Sequence, residues 1–311
     1  MNIAINGFGR IGRHSFKIGF GRKDFNIVAI NDLTDTKTLA HLLKYDTAYN
    51  VFDKEVAYDE KNIIVDGIKI PVFAEKDPSI LPWEKLKVDV VIECTGHFTK
   101  KDGAELHIKA GAKKVIISAP AKGEGVPTYV RGVNCGKVQD ETAKVISNAS
   151  CTTNCIAPVM AILEEEFGIE KAMMSTVHAY TGDQNLQDGP HKDLRRARAA
   201  AESIVPTTTG AAKAVAETIP AVKGIFDGIS LRVPVVTVSL SDITAVLKKK
   251  VTKEEINKAF VKASKTARFA GVLDATYEEL VSSDFIGNSF SSIVDLNLTN
   301  VVDGDLVKVV A

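Results

Sequence analysis

The sequence predicts two α/β units in series. The first is built on a doubly wound parallel sheet, and the second is an α+β unit on a largely antiparallel sheet. Three observations predict this. In the first half, short apolar runs alternate with stretches of helical spacing, and the runs are continuous, as in strands buried on both faces. After Cys151 the pattern shifts to longer strands with helices between them. At 311 residues the chain is also long for one hydrophobic core.

In the first half, Asn2 to Asn6 reads as a short strand, followed by Gly7-Phe8-Gly9-Arg10-Ile11-Gly12 and a helical pattern through Ile18. This is G-x-G-x-x-G between a strand and a helix, the context that gives the pattern meaning. Gly7 allows the tight turn, Gly9 lets backbone approach a pyrophosphate, Gly12 brings helix onto strand, and the helix start faces the anion. A second strand, Phe25 to Ile30, ends at Asn31-Asp32, with the acid about twenty residues past the last glycine, where a carboxylate binds ribose hydroxyls. Asp32 repels a 2′-phosphate, which favours NAD over NADP. A strand-end acid is also a common helix cap, and Thr34-Asp35 stands ready for the same task.

Leu39, Leu42 and Leu43 mark a helix, and Asp66-Gly67 a hairpin between Ile63–Val65 and Ile68–Ile70. Val88 to Glu93 is a further strand, ending in Cys94-Thr95-Gly96, small residues over which a cofactor can pass. His97 beside it reads as a solvated loop residue. A helix from Gly103 to Ala110 and a strand from Lys114 to Ser118 complete the alternation.

Ser147 to Cys155 is a small, polar run between the strand-like Val145-Ile146 and an apolar helix containing Ile156, Val159, Ile162 and Leu163. It reads as a strand-to-helix elbow with Cys151 at its tip, where free N–H groups favour the thiolate. The surrounding Ser and Thr residues cap the helix and supply donors for an anion. Pro158 predicts a kink. A small buried filler is the competing reading of Cys151.

A strand from Ala172 to Val177 leads into His178, which is placed to draw a proton from Cys151, or else to fill the core. Asp183 to Ala201 is a long polar excursion containing Gly189-Pro190 and the cluster Arg195, Arg196 and Arg198, of the length that marks function or an interface. Thr207-Thr208-Thr209-Gly210 opens a helix from Ala211 to Thr218 and again suits an anion. Arg232 stands alone in an apolar strand and asks for an anionic partner. Strands at Val235–Leu240 and Val294–Leu298, a helix at Lys253–Ala267, a turn at Asp303-Gly304 and a strand at Leu306–Val310 complete the antiparallel half.

Lys plus Arg and Asp plus Glu are balanced at 39 each, so bulk charge recruits neither nucleic acid nor membrane. The four cysteines, Cys94, Cys135, Cys151 and Cys155, lack metal-ligand spacing and suggest reduced thiols, hence the cytoplasm. Met1 runs straight into the first strand and glycine turn, leaving no room for a signal peptide, and no apolar run approaches membrane-spanning length.

Five stretches in order, INGFGRIGR at the start, SNASCTTNCIAP around Cys151, STVHAYTGDQ around His178, PTTTGAAKAV and LRVP around Arg232, together resemble the phosphorylating glyceraldehyde-3-phosphate dehydrogenases. The likeness runs from Met1 to Ala311. It implies a Rossmann-type NAD domain over residues 1–150, a catalytic domain over 151–311, and a homotetramer. It further implies that Cys151 attacks the aldehyde of D-glyceraldehyde 3-phosphate with His178 accepting the proton. Hydride transfer then leaves a thioester that inorganic phosphate attacks. Thr181 and Arg232 resemble the pocket for the substrate's own phosphate. Ser150, Thr152, Thr209 and Gly210 resemble that for the attacking phosphate, with Arg195 near it. Gly9, Arg10, Ile11, Asp32, Lys76, Thr95 and Ser118 carry over as cofactor residues, and Gly189-Pro190 fits the NAD-using members. No metal is implied.

Two departures from the family pattern stand out. Members continue past Lys308-Val309-Val310 with an aromatic, Asn-containing segment and a helix, whereas this sequence stops at Ala311, so a shortened chain or a missing clamp is expected. Tyr49-Asn50 replaces the usual His-Gly, a change expected to be tolerated. Erythrose-4-phosphate dehydrogenase and a non-catalytic NAD-binding scaffold are the alternative readings. Asp32 and the Thr-Gly-Ala-Ala run weigh against the first.

Overall fold

The computed structural model describes residues 1–137 and 142–311, which form two compact units. The first holds Met1–Thr128 and the stretch leading to Ala149. The second holds Ser150–Ala311 with the segment that begins at Tyr129.

In the first unit, strands β1 (Asn2–Asn6), β2 (Asn26–Asn31), β3 (Tyr45–Asp46), β4 (Asn50–Val51), β5 (Val56–Tyr58), β6 (Asn62–Val65), β7 (Ile68–Phe73), β8 (Val90–Glu93), β9 (Lys114–Ile117) and β10 (Val145–Ser147) accompany helices α1 (Arg10–Gly19), α2 (Thr36–Lys44) and α3 (Lys101–Lys109). The main sheet has the order β10-β9-β8-β1-β2-β7-β6-β5. It is parallel from β10 to β7 and antiparallel at the β7-β6-β5 edge. Successive residues of its central strands feed opposite faces, as strand geometry requires. Ala4 and Ala29 join a cluster with Trp83, Val91 and Val115, whereas Ile5 and Ile30 join one with Phe8, Phe16, Leu39 and Leu43. Those two buried faces are why the strands read as unbroken apolar runs.

In the second unit, α4 (Cys151–Phe167), β11 (Ile169–Ala179), β12 (Val205–Thr208), α5 (Ala211–Thr218), β13 (Phe226–Val233), β14 (Ser239–Leu247), α6 (Lys253–Ser264), β15 (Leu273–Thr276), β16 (Ser292–Val302) and β17 (Leu306–Val310) follow in sequence. The sheet order is β12-β13-β11-β14-β17-β16-β15, with antiparallel neighbours except β11-β13 and β15-β16. Helix α4 is buried from Ile156 to Leu163 and packs against β11, β14 and β16. Pro158 lies inside it, yet the helix runs on to Phe167.

The strand expected at Val235–Leu240 begins instead at Ser239. Pro234 lacks an N–H, and Val238 sits at φ +69°, a conformation foreign to a β-branched residue, so the chain turns before it can pair. The helix expected to reach Ala267 ends at Ser264.

Candidate active site

Cys151 is the first residue of α4, and Ser150 is its N-cap: the Ser150 hydroxyl accepts from the Thr153 N–H at 3.0 Å. The sulfur lies 3.3 Å from His178 Nε2. On the other side of the imidazole, Nδ1 is 2.7 Å from the Ala179 carbonyl, which can only accept. Nδ1 therefore carries a proton and the Nε2 lone pair faces the thiol, the tautomer that takes a proton from sulfur. Cys151 is exposed, yet protein packs around its sulfur closely enough for burial to count against its charge. Burial alone raises the thiol. The hydrogen bond and charge of His178, with help from the Thr152 hydroxyl and N–H, outweigh it and hold Cys151 below the ordinary cysteine value.

The other cysteines go the opposite way. Burial pushes Cys94 and Cys155 up to about 11 and also raises Cys135. Cys155 lies one helical turn beyond Cys151, with its sulfur 3.8 Å from the Ser292 hydroxyl.

His178 on β11 pairs in register with Arg232 on the parallel strand β13, so the two side chains emerge side by side on one face. Arg232 donates to the Thr181 hydroxyl at 2.6 Å. Its Nε is buried without a hydrogen-bond partner. Burial weighs against the Arg232 charge, and Asp183 offsets part of that. A half-buried guanidinium with a free donor, beside a threonine hydroxyl, is built to take an anion.

Thr209 accepts from the Ala211 N–H, the first of α5, at 3.2 Å, and Gly210 is the N-cap with no side-chain cap, which leaves the next N–H groups of the first turn for an anion. Arg195 lines a cavity of about 440 Å³ with Asp193, Leu194, Pro206, Thr207, Thr208 and Ile229. Sequence reasoning missed Asp183, which accepts from the Thr181 hydroxyl and from Arg196. Its position two residues after Thr181, ahead of an Arg cluster, was the available signal.

The glycine turn of the first unit is equally specific. Gly7 has φ +88°, and a Cβ there would lie 2.7 Å from the Thr95 nitrogen; at Gly12 it would lie 2.1 Å from the Gly7 carbonyl. Gly9, the N-cap of α1, has open space where its Cβ would be and no side-chain cap. Asp32 accepts from the Phe8 N–H at 2.7 Å and the Thr34 N–H at 2.9 Å, while Asp35 caps α2. The helix-cap reading of Asp32 is thereby set aside. An uncapped helix start, a backbone stripped of Cβ atoms and a strand-end carboxylate fit a dinucleotide.

Ile11 is exposed beside this turn, and Arg10 is held by Asp46 and stacks over Tyr49. Thr95 donates its hydroxyl to Glu93. Ser118 hydrogen-bonds through its backbone to Glu93 and through its side chain to Cys94. Lys76 stands exposed just beyond β7. Asn50 adopts φ +62°, the left-handed region that glycine enters freely and asparagine more readily than most, which accounts for Asn at a family glycine. Among the described residues no cluster of His, Cys, Asp and Glu suits a metal ion, and no helix is long and apolar enough to cross a membrane.

Residues 150–311 match the family model described as "Glyceraldehyde 3-phosphate dehydrogenase, C-terminal domain", and residues 1–101 match "Glyceraldehyde 3-phosphate dehydrogenase, NAD binding domain". The glyceraldehyde-3-phosphate dehydrogenase of Geobacillus stearothermophilus is 53% identical over 100% of this chain and 92% of its own length. That of Streptomyces coelicolor is 54% identical over 99% of this chain and 92% of its own length. The Borreliella burgdorferi enzyme is 55% identical over 100% and 94%.

Proposed function

The chain belongs to the glyceraldehyde-3-phosphate dehydrogenase family, and from that premise we propose that it converts D-glyceraldehyde 3-phosphate and inorganic phosphate to 1,3-bisphosphoglycerate with NAD, a glycolytic and gluconeogenic step. The single observation that carries the chemistry is the 3.3 Å approach of Cys151 Sγ to a His178 Nε2 whose tautomer is set by the Ala179 carbonyl.

The thiolate of Cys151 attacks the aldehyde carbon, and the carbonyl oxygen takes the proton held on His178 Nε2, giving a hemithioacetal. When bound, NAD supplies the hydride acceptor; Gly7, Gly9, Gly12, Arg10, Ile11, Asp32, Lys76, Thr95 and Ser118 of the first unit hold it. Nε2 then withdraws the hemithioacetal hydroxyl proton as the carbon-bound hydrogen leaves with its electron pair, so a thioester remains on Cys151. An oxygen of inorganic phosphate attacks that carbon, the carbon–sulfur bond breaks, and Cys151 departs as the thiolate that its surroundings favour. Arg232 and Thr181 seat the substrate's phosphate. Ser150, Thr152, Thr209 and Gly210, with Arg195, receive the attacking one.

The first unit thus serves the cofactor and the second the substrate. The active form is a homotetramer; exposed apolar side chains such as Leu186, Leu194 and Ile229 support subunit contacts there. The four free cysteines suit the cytoplasm. The test is phosphate-dependent NADH formation from glyceraldehyde 3-phosphate, with Cys151→Ser as control. Turnover without added phosphate, or with the control, sinks the reading.

A further inference from the structure

Behind the glycine turn lies a buried chain of polar side chains that the reaction does not use directly: Glu93 is 1% exposed, His107 and Trp83 0%, Asn6 1% and Asn31 4%. Its hydrogen-bond direction is fixed by three donors that cannot reverse. The Glu75 backbone N–H donates to Asn31 Oδ1 at 2.9 Å. Asn31 Nδ2 therefore faces Asn6 Oδ1 at 2.7 Å, and Asn6 Nδ2 is left aimed at Glu93 Oε2 at 2.5 Å. The Trp83 indole N–H donates to His107 Nδ1 at 2.9 Å. The proton of that imidazole consequently sits on Nε2, which donates to the same Glu93 oxygen at 3.2 Å. The Thr95 backbone N–H donates to Glu93 Oε1 at 2.8 Å, and the Thr95 hydroxyl bonds the same oxygen.

Three groups that reach Glu93, the Asn6 amide, the His107 Nε2–H and the Thr95 N–H, are fixed as donors and occupy both oxygens, which is the pattern of a carboxylate, and a carboxylate oxygen can only accept from the Thr95 hydroxyl. The contact between Asn6 Nδ2 and His107 Nε2 at 3.2 Å is then two donors converging on one oxygen. Thr95 has no proton left to give. Its hydroxyl also accepts from the His97 N–H at 3.0 Å, so what remains is a single lone pair.

We propose that Glu93 is a positioning residue for the dinucleotide: it takes the hydroxyl proton of Thr95, so Thr95 meets the cofactor as an acceptor and selects a ligand hydroxyl, such as a ribose carries, over a phosphate oxygen. Trp83 acts at one remove by fixing the His107 tautomer. This rests on the reading that Thr95 borders the cofactor. Glu93→Gln breaks the arrangement without changing its size, because its amide NH2 must face donors on one side or the other.

NAD titrated calorimetrically into the full chain tests this with Thr95→Val, Glu93→Gln and their double variant. Each single change is expected to raise the Kd about tenfold, and the double variant is expected to bind no more weakly than Thr95→Val, since Glu93 works through Thr95. A general loosening of the unit would instead multiply the two losses, and that result overturns the proposal, as does a wild-type Kd for Glu93→Gln. A wild-type Kd for Thr95→Val overturns the placement of Thr95 beside the cofactor, a different failure. Should Glu93→Gln not fold, Trp83→Phe removes the indole donor together with part of the buried ring, so its Kd is read on protein shown to be folded; an about threefold or larger rise in Kd is expected, and an unchanged Kd overturns the proposal.

Discussion

The two units treat their buried polar groups differently. In the first, Asn31, Asn6, Glu93, His107 and Trp83 spend their donors and acceptors on one another, and Asp32 is occupied by backbone N–H groups. Among the described residues, buried side-chain atoms without a hydrogen-bond partner fall mostly in the second unit, where they include Arg232 Nε and, near the candidate substrate pocket in sequence, Ser230 Oγ and Gln184 Nε2; the first unit has His14 Nε2, outside the Glu93 network. A site that holds one cofactor in one pose gains from a saturated frame, because an unpaired buried group costs about 1–3 kcal/mol. A site that must exchange partners during turnover keeps donors in reserve. The lesson is that fixed and changing chemistry call for different degrees of internal satisfaction.

The largest break in this comparison is expected from Cys151→Ser, which should lower phosphate-dependent NADH formation by about 10⁴-fold or more while leaving NAD affinity by calorimetry unchanged. A parallel loss of NAD affinity would erase the distinction between the units. Next comes Arg232→Lys. A lysine lacks the fork that spans Thr181 and an anion, so KM for glyceraldehyde 3-phosphate should rise about 10- to 100-fold by initial-rate kinetics. In the first unit, Asp32→Ala should weaken NAD about tenfold and narrow the preference against NADP, both readable by titration.

A pH measurement sharpens the contrast within the second unit. Cys151 is depressed because His178 and Thr152 outweigh burial, so its iodoacetamide reactivity should persist below the ordinary thiol range. In His178→Asn the burial contribution remains with only the smaller Thr152 counterweight, and the reactive limb should move to higher pH. A limb that stays in place would remove His178 as the cause. The smallest effect is expected at Asn50→Gly, where relief of the positive φ is offset by chain entropy; Tm should shift by the equivalent of about 0.5 kcal/mol.

Local chemistry made much of this legible in the sequence. Asn2–Asn6, Ala211–Thr218 and Leu306–Val310 form the elements their spacing predicts, because each is bounded by a turn or cap next to a clear apolar period. The strand at Val235–Leu240 misled because its composition is right for a strand, while Pro234 and the backbone at Val238 are not. Cys151 and His178 were visible as types at strand and helix ends; their 3.3 Å approach was not a property of either stretch. The Glu93 network was illegible, since Asn6 and His107 lie 87 residues before and 14 residues after it, the first brought there by strand register and the second by the packing of α3.

Three of the four cysteine thiols are raised by burial and one is lowered, and this has a practical side. Toward a scarce electrophile the molecule behaves as if it owned a single handle. One equivalent of a tagged thiol reagent would count working copies in a preparation, and a trace thiol oxidant in storage would reach this cysteine before the other three.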